Sequence, residues 1–225
     1  MPVEDIAIFL GLIIILAHFF SDRLTSVKGS FLSFATGISV TYIFLYLFPE
    51  VIAITLANSF IFVLLGFAIL RLLEVHAHKH HSVSLMKKEL KELHATVFFV
   101  YHFFIGIVLF GVISTNLFGG LLFFLPLFFH STISSASLPE LHERIKGINL
   151  FRFVLSLSTL LGILAAILLQ IPQVLDTIAL GFVTGALLYI VIKDSMPKET
   201  KSRPAYFLLG IILYTVLITL ADIFV

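Results

Sequence analysis

SFATGISVTYIFLYLFPE (33–50) and GFVTGALLYIVIKDSMPKE (181–199) read as one piece of text written twice. Both carry Phe-x-Thr-Gly, as Phe34, Thr36, Gly37 and as Phe182, Thr184, Gly185. In each a proline, Pro49 or Pro197, follows the glycine by twelve residues. The text after each copy repeats too: FVLLG ends at Gly66 and YFLLG ends at Gly210. The displacements are 148 and 144 residues, one repeat with a small insertion or deletion.

The composition says what medium the repeat lives in. The chain has 225 residues, of which 60% are hydrophobic and 12% charged. Soluble domains run at about 45–50% apolar and about 25% charged. With a mean hydropathy of +1.13, a soluble core of this size could not hide the apolar surface, so a polytopic membrane protein is expected. A net charge of +1 gives no support for nucleic-acid binding. The lack of cysteine excludes disulfides, thiolate metal sites and cysteine nucleophiles. There is no tryptophan, so Tyr and Phe would form any interfacial belt. MPVEDIAIFLGLIIILAHFF has an acidic start and no small-residue cleavage site, and reads as a first membrane helix rather than a signal peptide.

About 20 mostly apolar residues carry a helix across hydrocarbon. The candidate spans are 5–20, 31–49, 56–73, 95–115, 118–136, 150–170, 174–193 and 204–224. All fourteen Lys and Arg fall at the odd-to-even connections. Arg23 and Lys28 follow span one; Arg71, Lys79, Lys87, Lys88 and Lys91 follow span three. Arg144, Lys146 and Arg152 follow span five; Lys193, Lys198, Lys201 and Arg203 follow span seven. The even-to-odd connections carry none. By the positive-inside rule the basic loops are cytoplasmic and both termini are extracytoplasmic. Spans two and seven then cross in opposite directions. The expected fold is an all-α polytopic membrane protein with eight transmembrane helices in an inverted 3+2+3 arrangement. Residues 1–74 form the first triplet, 75–94 a His-rich cytoplasmic loop, 95–136 the central pair, and 150–225 the second triplet. Inverted repeats mark many transporters, with the substrate site near the bilayer midplane.

The central pair carries polar chemistry at that depth. His102 and His130 each lie about 10 Å from the basic end of their span, at 1.5 Å per residue. Polar side chains in hydrocarbon are costly, which makes this pair the default functional site. Ser131, Thr132, Ser134 and Ser135 follow His130, with Ser134 and Ser137 on its helix face. His94 lies two turns from His102 toward the basic end. The loop VHAHKHHSVS holds His76, His78, His80 and His81, imidazoles that suit zinc and similar divalent ions but would exchange them quickly on a mobile loop. A plain His-rich polar linker is the competing reading. MKKELKELH is expected as a helical extension of span four, with Lys88 and Glu92 as an i,i+4 pair. Pro126 is expected to kink span five.

Eight spans, both ends out, two inverted triplets around a central pair and a His-rich loop after span three together resemble the ZIP (Zrt/Irt-like) metal transporters. The stretches FATG…LFPE, LGFAILRLLE (65–74) and GFVTGALLYIVIKDSMPKE look like that family's second, third and seventh helices. The resemblance covers nearly the whole chain. The family's fourth helix carries His-Asn-x-x-(Asp/Glu)-Gly and its fifth His-(Glu/Asp)-x-Pro-Glu. Set on Gly106, the first pattern puts Tyr101 at the histidine, His102 at the asparagine and Ile105 at the carboxylate. In the second, His130 matches the histidine, while Ser131, Ile133 and Ser134 replace acid, proline and glutamate. Span six offers Ser156, Ser158 and Thr159 where the family often has a further glutamate. The resemblance thus implies the fold, with a metal set of His102, His130, Ser131, Ser134 and Tyr101 that lacks three carboxylates. The remaining acids or imidazoles near the spans, His18, Asp22, Glu50, Glu74, Asp194 and Asp222, mostly fall at span ends.

The function expected is transport of divalent cations, of the zinc, iron and manganese class, by alternating access in the plasma (inner) membrane. Zn2+ or another divalent metal would be the transported ion, with no other cofactor. The partners are the lipid bilayer, the metal ion and, in a homodimer, a second copy. The alternative is a ZIP-like protein with a degenerate site that does not transport and acts as a metal sensor or membrane partner protein. A third class, a membrane enzyme or a bis-histidine haem protein, has only His102 and His130 in its favour; no HExxH or base carboxylate accompanies them, so no enzyme is expected.

Overall fold

A computed structural model of the chain describes residues 2–24, 28–53, 59–79, 83–142, 148–195 and 203–224. Among these residues all regular structure is helical, and eight helices follow one another. They are α1 (Val3–Leu24), α2 (Lys28–Tyr42, continued by a π-helical turn Ile43–Leu47 and by Phe48–Ala53) and α3 (Phe60–Lys79). Then come α4 (Val83–Thr115), α5 (Leu117–His142), α6 (Ile148–Leu169), α7 (Gln173–Ile190 with a π-helical turn Val191–Ser195) and α8 (Pro204–Phe224). Each expected span lies within or against one helix.

Three helical stretches, Gly29–Ala53, Gln173–Lys193 and Pro204–Ala221, are long and apolar enough to cross a membrane. Phe99–Thr115, Leu117–Thr132 and Ser156–Leu169 are shorter apolar helices. Large apolar side chains stand on the outside, Leu64 at 66%, Leu168 at 78% and Ile223 at 69% exposure. A surface of this kind is costly in water and normal against lipid, and it suits a helical membrane protein.

The connections follow local chemistry. A single residue, Asn116, joins α4 to α5. Its backbone N–H donates to Val112 O (2.8 Å), closing α4, and its side-chain Oδ1 accepts from Gly119 N (3.1 Å), capping α5. Helix α6 stops where Gln170 enters the left-handed region (φ 45°) and Pro172 denies a further N–H.

Two pairs of helices carry the repeated text, and they pack in the same way. Gly37 of α2 lies against the backbone of Phe207 and Ile211 in α8; Gly185 of α7 lies against the backbone of Val63 and Phe67 in α3. Gly66 of α3 meets Phe182 and Ala186 of α7, and Gly210 of α8 meets Phe34 and Ile38 of α2. Every partner in one pair maps onto its counterpart in the other by the displacements read from the text. The π-helical turns also match, Ile43 being 148 residues before Val191. So do the hydroxyls that bond back to the preceding turn, Thr36 to Leu32 O and Thr184 to Leu180 O, both at 2.7 Å. Contacts advance along both chains together, Ser33 with Arg203 N and Tyr42 with Tyr214, so α2 and α8 run parallel. The same holds for α3 and α7, from Phe62 at Gly181 to Phe67 at Tyr189. Helix α5 runs antiparallel to α4, with Ile113 beside Gly120 and Tyr101 beside His130.

Within 75–94, α3 runs through Lys79 and α4 starts at Val83, so the helix expected over MKKELKELH is present and begins three residues earlier. Lys, Glu, Leu and Met favour helix, and no Gly or Pro interrupts them. His76 therefore lies on α3, where it is exposed.

At the basic end one ion pair breaks the likeness of the two pairs. Lys193 Nζ lies 2.8 Å from Glu74 Oε1, Tyr189 OH donates to Glu74 Oε2, and Arg71 Nη1 stands 3.9 Å from the same carboxylate. The repeat-equivalent positions of Lys193 and Glu74 are Leu45 and Ile218, so only α3 and α7 are pinned in this way. Glu74→Ala is expected to cost about 2 kcal/mol, since it strips a phenol and an ammonium of one acceptor. Lys193→Ala is expected to cost about 1 kcal/mol. A double-mutant cycle on thermal unfolding in detergent checks the pair. Strictly additive losses would mean that it contributes nothing.

Candidate functional site

Three imidazoles meet in the interior, one from each of α1, α4 and α5. His102 is 0% exposed, His130 1% and His18 8%. The His18 and His102 ring centroids are 5.1 Å apart, and those of His102 and His130 are 5.9 Å apart with planes only 14° from parallel. Tyr101 packs edge-on to both, at 5.2 Å from His102 and 5.8 Å from His130. His102 Nδ1 faces Thr159 Oγ1 of α6 at 3.4 Å, a weak hydrogen bond at best. His18 hydrogen-bonds with the backbone of Ser131. Among the described residues neither ring nitrogen of His130 has a hydrogen-bond partner, nor has the Ser131 hydroxyl.

Glycines set this meeting point. Gly106 of α4 and Gly162 of α6 lie face to face, each where a Cβ would strike the other helix's backbone. That contact lets the two helices touch and puts Thr159 on His102. Gly11 of α1 also lies on α6, over Ile163 and Leu160, and seven residues later, two turns along α1, comes His18. Buried Ser156 and Ser158 complete a hydroxyl-bearing wall on α6.

Two imidazoles sharing one ion have centroids about 5–6 Å apart, given metal–nitrogen bonds of about 2.0–2.1 Å. The observed separations fall in that range. Among the described residues no three His, Asp or Glu side chains are set to hold a metal ion. A shared ion would therefore require these side chains to shift.

The other expected ligands divide. Tyr101 and Ser131 lie at the cluster, buried at 1% each. Ser134, Ser137 and His94 lie on α5 and α4, but their side chains fall outside the described residues, as does that of His78. His80 and His81 lie outside them altogether. His76 is exposed and apart from the buried cluster. The sequence reading placed His18 among remote substitutes near a span end; the structure puts it against His102. The signal was present in IILAHFF, where the histidine has apolar neighbours on both sides.

A cavity of about 740 Å³ opens at the opposite end from the Lys and Arg. Glu4, Glu50 and Asp176 line it with Ser114, Thr115 and Gln170. Its wall includes Ile107 of α4, about 7.5 Å of helix rise from His102. The described carboxylates thus sit at helix ends, and those of Glu4, Glu50 and Asp176 face a common space.

No family model, no curated protein and no solved structure matches this chain.

Proposed function

We propose that the chain is a ZIP-like membrane transporter of metal cations that works by alternating access. Eight spans cross the inner membrane with both termini extracytoplasmic. Two inverted triplets flank α4 and α5, and the cargo passes His102 and His130. The zinc, iron and manganese class is the cargo the resemblance implies. The observation that carries the reading is the meeting of three buried imidazoles beside α4 and α5, at separations suited to a shared ion. The matched glycine contacts support the repeat, and the parallel packing of α2 with α8 and α3 with α7 suits alternate crossings. Cations entering from the acid-lined cavity would reach the cluster about a turn and a half further along α4.

One observation favours a second reading. Three imidazoles not set to hold a metal ion, with no described acid among them, also suit a degenerate site that holds no ion and moves none. Uptake into liposomes separates the two. Flux of zinc, iron, manganese or silver above empty vesicles is expected, falling at least about tenfold in the His102→Ala/His130→Ala double variant. Flux equal to that of empty vesicles for all four ions, or flux unchanged in the double variant, overturns transport through this site.

A further inference from the structure

We infer that the buried imidazole cluster selects a singly charged metal ion, of the Cu(I) and Ag(I) kind, over a dication. This rests on the metal-transport reading and names its cargo by charge.

The ligands gathered there are neutral. His18, His102 and His130 bring lone pairs, and Ser131, Thr159 and Tyr101 bring dipoles; none brings a countercharge. The described carboxylates lie elsewhere, Glu4, Glu50 and Asp176 on the outer cavity and Glu74 against Lys193. Moving an ion from water to an apolar interior costs free energy in proportion to the square of its charge, so a dication of similar size pays roughly four times as much. A carboxylate beside the ion would offset that penalty, and imidazoles do not.

Coordination number points the same way. Zinc takes four ligands in structural sites and keeps three protein ligands in catalytic ones. Cu(I) and Ag(I) are satisfied by two or three. His18, His102 and His130, with neighbouring centroids 5.1 and 5.9 Å apart, would supply two or three nitrogens once their side chains shifted toward a shared ion. With no cysteine in the chain thiolate ligands are absent, and imidazole suits zinc as well as copper, which leaves the choice to charge and coordination number. His130 is 1% exposed, and among the described residues neither of its ring nitrogens has a partner. A singly charged ion would satisfy one of them without adding a second uncompensated charge. Asp22 is the nearest acid in the sequence, four residues after His18 and one turn along α1. Its side chain lies outside the described residues, so the test includes it.

The full chain, purified in detergent, is dialysed to equilibrium against Ag+ or Zn2+ in chloride-free buffer, and bound metal is counted. His76, His78, His80 and His81 are replaced by Ser throughout, so that the buried imidazoles are counted without them. One Ag+ per chain is expected, bound at least tenfold more tightly than Zn2+. Binding should be lost in His102→Ala/His130→Ala and weakened in His18→Ala. His130→Gln, judged folded by circular dichroism and gel filtration, should lose it too. The preference should persist in Asp22→Asn. Zn2+ bound as tightly as Ag+ at these histidines, or a preference reached only by removing Asp22, overturns charge selection and leaves metal transport standing. Neither ion bound at the buried histidines overturns both.

Discussion

Gly66→Leu and Gly185→Leu, each alone, are expected to leave little or no monodisperse protein in detergent. At Gly185 even a methyl group would overlap Val63 O and come within 2.8 Å of Val63 C and 2.9 Å of Phe67 N. At Gly66 it would overlap Phe182 O and come within 2.9 Å of Phe182 C. These are backbone atoms of α3 and α7, which cannot rotate aside as a side chain can. The helices must separate, and the dispersion contacts along their whole crossing go with the separation. Overpacking of this kind costs about 3 kcal/mol or more per site, against a total stability of about 5–15 kcal/mol. Gly37→Leu and Gly210→Leu should behave alike, because their partners are the equivalent backbone atoms of α8 and α2. Gly11→Ala is the control. Its new methyl would meet the Ile163 Cδ1 tip at 2.8 Å and Leu160 Cδ1 at 3.2 Å, side-chain ends that can turn. Gel filtration and thermal unfolding check the set. A Gly66→Leu protein with wild-type elution and melting temperature would show that α3 and α7 do not cross at this distance in solution.

The same glycines show how much of the fold was readable. The text Phe-x-Thr-Gly and Leu-Leu-Gly repeats because two helix crossings repeat. Each crossing needs its glycine where the other helix's backbone comes close, and such a need leaves a mark in the sequence. Helix ends were readable where a hydrophobic run stops at Asn116 or at Gln170 and Pro172. The π-helical turns left no such mark; Ile43–Leu47 and Val191–Ser195 share neither residue type nor charge, only position. The ion pair of Glu74 and Lys193 was hidden for another reason. Both residues look like ordinary charges at span ends, and only the packing of α3 on α7 makes one the other's partner.

Of the candidate site, the sequence yielded what lay on neighbouring helices. His102 and His130 are equally deep on an antiparallel pair joined by one residue, so their approach follows from helix rise alone. His18 could not be placed that way. Its approach to His102 depends on α1 crossing α6 at Gly11 and on α4 crossing α6 at Gly106 and Gly162, two non-local crossings that no spacing in the chain encodes. The difference bears on chemistry, since two imidazoles make a poor metal site and three are close to a sufficient one.

Ser131→Asp is expected to turn the cluster into a zinc site whose occupancy decides whether the protein is stable. Ser131 is 1% exposed, follows His130 and hydrogen-bonds with His18 through its backbone. An aspartate there places a carboxylate where the ZIP pattern has its acid, beside three imidazoles. Three nitrogens and one carboxylate oxygen are a zinc ligand set. Without metal the new group is a buried polar or charged side chain with no partner, at a cost of about 3 kcal/mol or more. With zinc its charge compensates half of the ion's, and the aspartate that harmed the apo-protein becomes what retains the metal. An ion that binds only the folded state stabilises it by about 2.7 kcal/mol at a hundred times its dissociation constant. The variant should therefore melt well below wild type in chelator and recover most of the difference in zinc, while wild type responds little. Ser131→Asn, similar in size and uncharged, should show the loss without the recovery, which separates charge from bulk. His102→Ala in the Ser131→Asp background should abolish the zinc response. A Ser131→Asp protein that melts at the same temperature in zinc and in chelator would place residue 131 away from any ion held by these imidazoles. An equally large zinc response in wild type would mean that the site needs no acid and that its cargo is a dication after all.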